Sequence, residues 1–155
     1  MRSGVGIIIL NDKDQVFVGK RKDNPGNKWQ MPQGGVEYGE DFLTAMKREL
    51  HEETNITSIK IIKEIKKIYE YELPKNLVGI IWKGKFRGQR QKWFIVKFIG
   101  NENEINLNTK QPEFIEWKWI NIEMLPNVIV EFKKKLFFNL LKEIKLVIGW
   151  FLLNY

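Results

Sequence analysis

Apolar residues recur along this chain at two periods, and the change of period marks where one element gives way to the next. Val5–Leu10 is a β-rich apolar run, Asn11-Asp12-Lys13-Asp14 turns, and Gln15–Lys20 returns, which predicts a hairpin. Asp23–Asn27 clusters Asn, Pro and Gly and reads as a loop. Trp29-Gln30-Met31 reads as a short strand that stops at Pro32 and Gly34-Gly35. Asp41–Thr54 is the clearest helix: Phe42, Ala45, Met46 and Leu50 recur at helical spacing with charges between them. Ile59–Glu72 reads as a long strand that closes near Pro74. In Lys92–Ile99, Trp93, Ile95 and Lys97 oppose Phe94, Val96 and Phe98; Glu116–Ile120 is a shorter strand carrying Trp117 and Trp119. Val128–Leu146 predicts a second helix, with Phe132, Leu136, Leu140 and Ile144 spaced four apart. Strands around one central helix, with another helix at the end, predict an α/β fold with a mixed sheet between helices.

No repeat, low-complexity stretch or linker divides the 155 residues, so residues 1–155 are expected to form one domain. Leu146–Leu153 is strongly apolar but contains Gly149 and is too short to span a bilayer. Its simplest reading is a final helical turn packed on the domain; the other is a membrane-surface or partner contact.

Composition narrows the chemistry. A hydrophobic share of 43% is enough to build a core. The absence of cysteine excludes disulfides, thiolate catalysis and Cys-ligated zinc or iron–sulfur sites. The single histidine, His51, leaves no Ser-His-Asp triad unless His51 itself serves in one. Catalysis must then rest on carboxylates, lysines and arginines, with a metal held by oxygen ligands. A net charge of +7 leans towards an anionic partner such as a polyphosphate or nucleic acid. Met1-Arg2-Ser3-Gly4 leads straight into an apolar strand without a signal-peptide pattern, so a cytoplasmic protein is expected. The Asn55-Ile56-Thr57 glycosylation pattern then carries no meaning.

One constellation stands out. Gly34 is followed, after five intervening residues, by Glu40, and after seven more by Arg48-Glu49-Leu50, His51, Glu52-Glu53, Thr54, Asn55 and Ile56. Residues three and four apart share a helix face, so Glu49, Glu52 and Glu53 project side by side. Adjacent carboxylates repel by a few tenths of a kcal/mol per pair, a cost that a divalent cation removes. Mg²⁺ is held by a few such carboxylates together with substrate phosphates. Arg48 lies only about 80° round the helix from the direction of Glu40 and can pair with it, fixing the entering loop. Gly34-Gly35 allows close backbone approach and frees a carbonyl for a metal. Taken alone, E-x-x-E-E is a solvated acidic face; the spacing to Gly34, Glu40 and Arg48 makes it specific.

This arrangement resembles the Nudix box, G-x5-E-x7-R-E-U-x-E-E-x-G-U, with U a bulky aliphatic residue. Only the final glycine departs, and Asn55 stands there; Asn is the usual substitute for Gly in the left-handed conformation at a helix end. The Nudix resemblance implies an α/β/α sandwich.

Further segments resemble the bacterial RNA pyrophosphohydrolases, which are near the asymmetric dinucleoside polyphosphate hydrolases. They include Arg2 with Val5-Gly6, Trp29 through Gly35, Tyr71 with Leu73-Pro74-Lys75, Gly88 through Phe94, Pro112-Glu113-Phe114 with Trp117 and Trp119, and Phe132-Lys133. The resemblance runs in order to about Lys145. It implies removal of pyrophosphate from 5′-triphosphorylated RNA, or of phosphate from diphosphorylated RNA, leaving a monophosphate end and promoting mRNA decay. The alternative is hydrolysis of diadenosine tetraphosphate.

Carried over residue by residue, the resemblance implies that Glu49, Glu52, Glu53, Glu113 and the Gly34 carbonyl bind Mg²⁺, with Mn²⁺ or another divalent ion as substitute. Glu53 is expected to act as the base or to orient the water, with Glu113 the reserve; on sequence alone Glu113 is simply a loop carboxylate. Glu40 and Arg48 are expected to be structural. Arg2, Arg21 and Lys133 are expected to line a substrate channel, and Phe132 to stack on a base, although its helical stripe equally fits core packing. Lys133-Lys134-Lys135 is otherwise a solvated charge run, Trp93, Trp117 and Trp119 are expected in the core, and His51 has no assigned role. The Asp23–Asn27 loop looks longer than in the family. The partner is expected to be an RNA 5′ end or a nucleotide polyphosphate, with neither DNA nor membrane involved.

Overall fold

The computed structural model describes residues 2–22, 28–76, 87–129 and 134–153, with side chains in the last span to Gly149. The expected loop at Asp23–Asn27 lies outside these residues.

The alternation of the first strand decides the layering. In β1 (Arg2–Leu10), Val5, Ile7 and Ile9 face one apolar cluster and Ile8 and Leu10 face another. Both faces are buried, which explains why the strand reads as a continuous apolar run rather than as an alternation. β2 (Val16–Arg21) returns antiparallel to it, followed by β3 (Trp29–Gln30), β4 (Gln33–Gly35), β5 (Ile59–Glu72), β6 (Gly88–Phe98) and β7 (Phe114–Ile120). The sheet order is β3-β2-β1-β6-β5, with β4 paired to β1 and β7 to β2. β1 and β6 run parallel and the other pairs antiparallel, so the sheet is mixed as expected.

On one face lies α1 (Phe42–Thr54), burying Ala45, Met46 and Leu50 against Val5, Ile7, Phe17 and Phe94. On the other lie α2 (Leu125–Val128) and α3 (Lys134–Leu153), which pack Leu125, Leu136, Phe137, Leu140 and Ile144 against Ile8, Val18, Trp93 and Ile95. The sheet therefore sits between helices.

Several elements differ from the sequence reading, and β6 starts at Gly88 rather than Lys92. Gln33–Gly35 forms a strand of its own, because Gly34 and Gly35 lie directly across from Val5 and Gly4 and extend the pairing of β1. The expected Val128–Leu146 helix is broken: Ile129 is extended (φ −93°, ψ 163°), and α3 starts at Lys134. The helix then continues through Gly149 to Leu153 instead of ending in a separate turn. Among the described residues no helix is long and apolar enough to cross a membrane.

Candidate active site

One end of the sheet collects strand ends. β1 and β6 begin there, β2, β4 and β5 end there, and β7 begins beside the end of β2. Arg2, Arg21, Tyr71, Gln89 and Glu113 are thereby brought to the edge over which α1 passes.

Local chemistry sets α1. The Asp41 carboxylate caps it by accepting from the Thr44 backbone N–H at 2.7 Å. At the other end Asn55 is left-handed (φ 63°), its N–H reaches the His51 carbonyl, and its Nδ2 donates to the Asn106 carbonyl at 2.7 Å. Asparagine in place of glycine thus adds a tie to the segment after β6 that a glycine could not make.

Arg48 binds Glu40 with both sides of its guanidinium: Nε donates to Oε2 at 2.8 Å and Nη2 to Oε1 at 2.9 Å. Nη2 also reaches the Gly35 carbonyl at 2.8 Å, which ties the box loop to the helix. The expected pair is present, but Arg48 does more. Its Nη1 donates to Glu49 at 2.9 Å and to Glu52 at 3.1 Å, so the carboxylate face has a cation partner that spacing alone did not assign to it.

Glu53 is the carboxylate that Arg48 does not hold. It is 5% exposed, and its Oε2 has no hydrogen-bond partner among the described residues. Burial pushes its carboxyl well above the usual range, and the charges of Glu49 and Glu113 push it further. Burial also raises Glu49, against the opposing hydrogen bond from Arg48. Glu113 projects from just before β7, its carbonyl fixed by the Lys22 N–H at 2.8 Å, and its Oε2 lies 3.7 Å from Arg21. Burial lowers the Arg2 guanidinium, which sits in the fields of Glu49, Tyr71 and Glu113.

Both glycines of the box loop are required by close approach. A Cβ on Gly34 would land on the Glu49 carboxyl, and one on Gly35 would press on the Arg2 guanidinium.

The structure therefore brings together Glu49, Glu52, Glu53, Glu113, Gly34, Arg2 and Arg21, with Glu40 and Arg48 supporting them. Phe132 and Lys133 lie outside the described residues. Among the described residues no three carboxylates form a ready-made metal cage, and Arg48 holds two of them. The donor set still suits a hard divalent cation: clustered carboxylates and an orphaned buried oxygen. Trp93 is buried as expected, whereas Trp117 and Trp119 are half-buried, packed around Phe17.

Sequence reasoning missed the buried polar residues Gln89 and Gln91. Their signal was the alternation Gln89-Arg90-Gln91-Lys92-Trp93, which puts both glutamines on the face of Trp93.

Comparison with known proteins agrees with this geometry. Residues 1–140 match the NUDIX domain family. RNA pyrophosphohydrolase from Pelagibacter ubique (strain HTCC1062) is 55% identical over 149 residues, 96% of this chain and 94% of that protein. The Rickettsia prowazekii (strain Madrid E) protein of the same name is 44% identical, covering 95% of this chain and 91% of its own length. Among solved structures, the E. coli dihydroneopterin triphosphate pyrophosphohydrolase superposes with a TM-score of 0.69 at 20% identity, covering 91% of this chain and 95% of that one. A C. elegans Ap4A hydrolase gives 0.66 at 22% identity over 100% of both chains. At such identities these two structures establish the fold alone. With its α/β sheet between helices and its carboxylate helix, the chain belongs to the NUDIX family and is a hydrolase of phosphoric anhydrides.

Proposed function

We propose that residues 1–155 act as one catalytic domain that removes pyrophosphate from the 5′-triphosphate end of RNA and leaves a 5′-monophosphate. The observation that carries this reading is the meeting of Arg2 and Arg21 with Glu49, Glu53 and Glu113 at one sheet end. Cations suited to a polyphosphate stand beside carboxylates suited to a metal. The curated relatives named RNA pyrophosphohydrolase, similar over nearly the whole chain, support RNA as the substrate.

In this reading Glu49, Glu52, Glu53, Glu113 and the Gly34 carbonyl hold Mg²⁺. The bound cation supplies neutralisation of the crowded carboxylates and polarisation of the anhydride. Arg2 and Arg21 grip the phosphates. Glu53 takes the proton of the attacking water, with Glu113 in reserve. Arg48, through its bond to the Gly35 carbonyl, keeps the end of β4 at a fixed distance from the helix. The resemblance adds Phe132 and Lys133, which lie outside the described residues, as groups for stacking and charge on the following nucleotides.

The test is product analysis. Triphosphorylated RNA treated with the enzyme should release pyrophosphate and become a substrate for a nuclease that requires a 5′-monophosphate. RNA that stays resistant would exclude this activity.

A further inference from the structure

Two fully buried amide side chains, Gln89 (1% exposed) and Gln91 (0%), lie beside the active-site end of β6. Neither belongs to the carboxylate helix or to its basic partners. Their hydrogen bonds form one directed chain. The Trp93 indole Nε1–H donates to Gln91 Oε1 at 3.0 Å, and Gln91 Nε2 donates to Gln33 Oε1 at 2.8 Å and to Gln89 Oε1. The Tyr71 hydroxyl donates to the same Gln89 oxygen at 3.0 Å.

An indole nitrogen can only donate. It therefore fixes which end of Gln91 is oxygen, and so makes the Gln91 nitrogen the donor to both Gln33 and Gln89. With its oxygen committed as acceptor, Gln89 turns its amide nitrogen towards Gly4, where an added Cβ would lie 2.6 Å from the Gln89 amide carbon.

The chain also crosses a strand. β6 and β4 flank β1 on opposite sides, with Gly4 opposite Gln91 and Gly35, and Gly6 opposite Trp93 and Gln33. Glycine at both positions opens a trough through which the β6 side chains reach Gln33; a Cβ on Gly6 would enter the Trp93 ring. At its ends the chain lies beside what the site uses. Gln33 shares β4 with Gly34 and Gly35, Arg2 stands opposite Gln89 in register, and Tyr71 lies in the field of Arg2 and Arg21.

We propose that Trp93, Gln91 and Gln89 are positioning residues, a buried donor–acceptor chain that holds Gln33, Tyr71 and Arg2 in place to receive the substrate's polyphosphate. The inference rests on hydrolysis of phosphoric anhydrides and not on RNA as the substrate. Because the chain acts on groups that grip phosphate, cutting it weakens binding rather than the chemical step, which appears as a rise in KM at nearly constant kcat.

Two variants test this, each assayed on both diadenosine tetraphosphate and triphosphorylated RNA beside the wild type, with melting temperature recorded. Trp93→Phe removes the N–H together with the fused five-membered ring and keeps a smaller aromatic ring facing Phe137, which lies 6.2 Å from the Trp93 ring between centroids, so the change in melting temperature reports the packing loss separately. It should raise KM roughly threefold to tenfold with kcat within about twofold. Gln91→Met, of similar length, should raise KM by about tenfold or more, the scale of losing an outer-shell partner. In the Gln91→Met background, Trp93→Phe should add no further KM change, because the chain is already cut. Unchanged KM in both variants, or effects that multiply in the double variant, would overturn the proposal. Should Gln91→Met fail to fold, the KM of Trp93→Phe decides alone. Failure of the wild type to act on RNA would overturn the RNA reading only, since the same variants are read on the dinucleotide.

Discussion

Arg48 holds Glu40 through two parallel hydrogen bonds, Nε to Oε2 at 2.8 Å and Nη2 to Oε1 at 2.9 Å. That bidentate contact keeps the Glu40 carboxyl down at about 2, against an ordinary 4.5. A carboxylate lowered by folding stabilises the fold above its ordinary pKa, and that contribution disappears as pH falls through the folded value. Glu40→Gln should therefore melt below the wild type at neutral pH. The gap should shrink as pH falls from 4.5 towards 2 and should be flat above 4.5. A gap independent of pH would show that the contact is only packing.

Glu53 has the opposite sign. Its folded carboxyl is raised by burial, so the folded protein keeps the proton longer than the unfolded chain does. Stability from that proton is complete below the ordinary 4.5 and declines as pH rises from there towards the raised value. Glutamine mimics the protonated form. In metal-free buffer Glu53→Gln should melt at or above the wild type at neutral pH, and with Mg²⁺ present its kcat should fall on the order of 10²–10⁴-fold, the range for a lost base. If kcat is nearly normal and Glu113→Gln is the crippled variant instead, the two roles are exchanged.

Gly34 has no room for a side chain, because a Cβ there meets the Glu49 carboxyl. Gly34→Ala must push that carboxyl aside. Displacements near 1 Å cost on the order of 10²-fold in rate, and a loss of that size in kcat is expected from a protein that still folds. Circular dichroism separates the two effects, and wild-type kcat in a folded variant would show that the Glu49 position is not critical.

Much of this was legible in the sequence, and the exceptions have physical reasons. The α1 helix carries a strong period, a capping Asp41 and a left-handed Asn55, so pattern and structure coincide. β4 was missed because Gln33-Gly34-Gly35 has no strand propensity of its own and is held by pairing with β1. The early start of β6 was missed because Gln89 and Gln91 are polar, and periodicity counts only apolar residues as buried. The grip of Arg48 on Glu49 and Glu52 depends on rotamers that spacing does not specify.

That same grip bears on metal binding. A cation joining Glu49 and Glu52 must draw them from Arg48 Nη1, and it gains the Glu53 oxygen that has no partner among the described residues. EDTA should abolish turnover and Mg²⁺ restore it. Mg²⁺ should also raise the melting temperature of the wild type more than that of Glu49→Gln. Turnover that survives EDTA, or an equal Mg²⁺ shift in both proteins, would remove the metal from this account.

The most direct measurement of the central claim is kcat/KM for a short 5′-triphosphorylated RNA against diadenosine tetraphosphate, in one buffer at one Mg²⁺ concentration. In the proposed reading, RNA offers the basic residues of the site, Arg2 and Arg21, a continuing phosphate backbone that a dinucleotide lacks. Each neutralised phosphate on a single strand contributes about −0.7 to the slope of log affinity against log salt. A higher kcat/KM for the RNA, declining more steeply as salt rises, is the predicted result. A clear advantage for the dinucleotide would contradict the RNA assignment and leave only hydrolysis of phosphoric anhydrides.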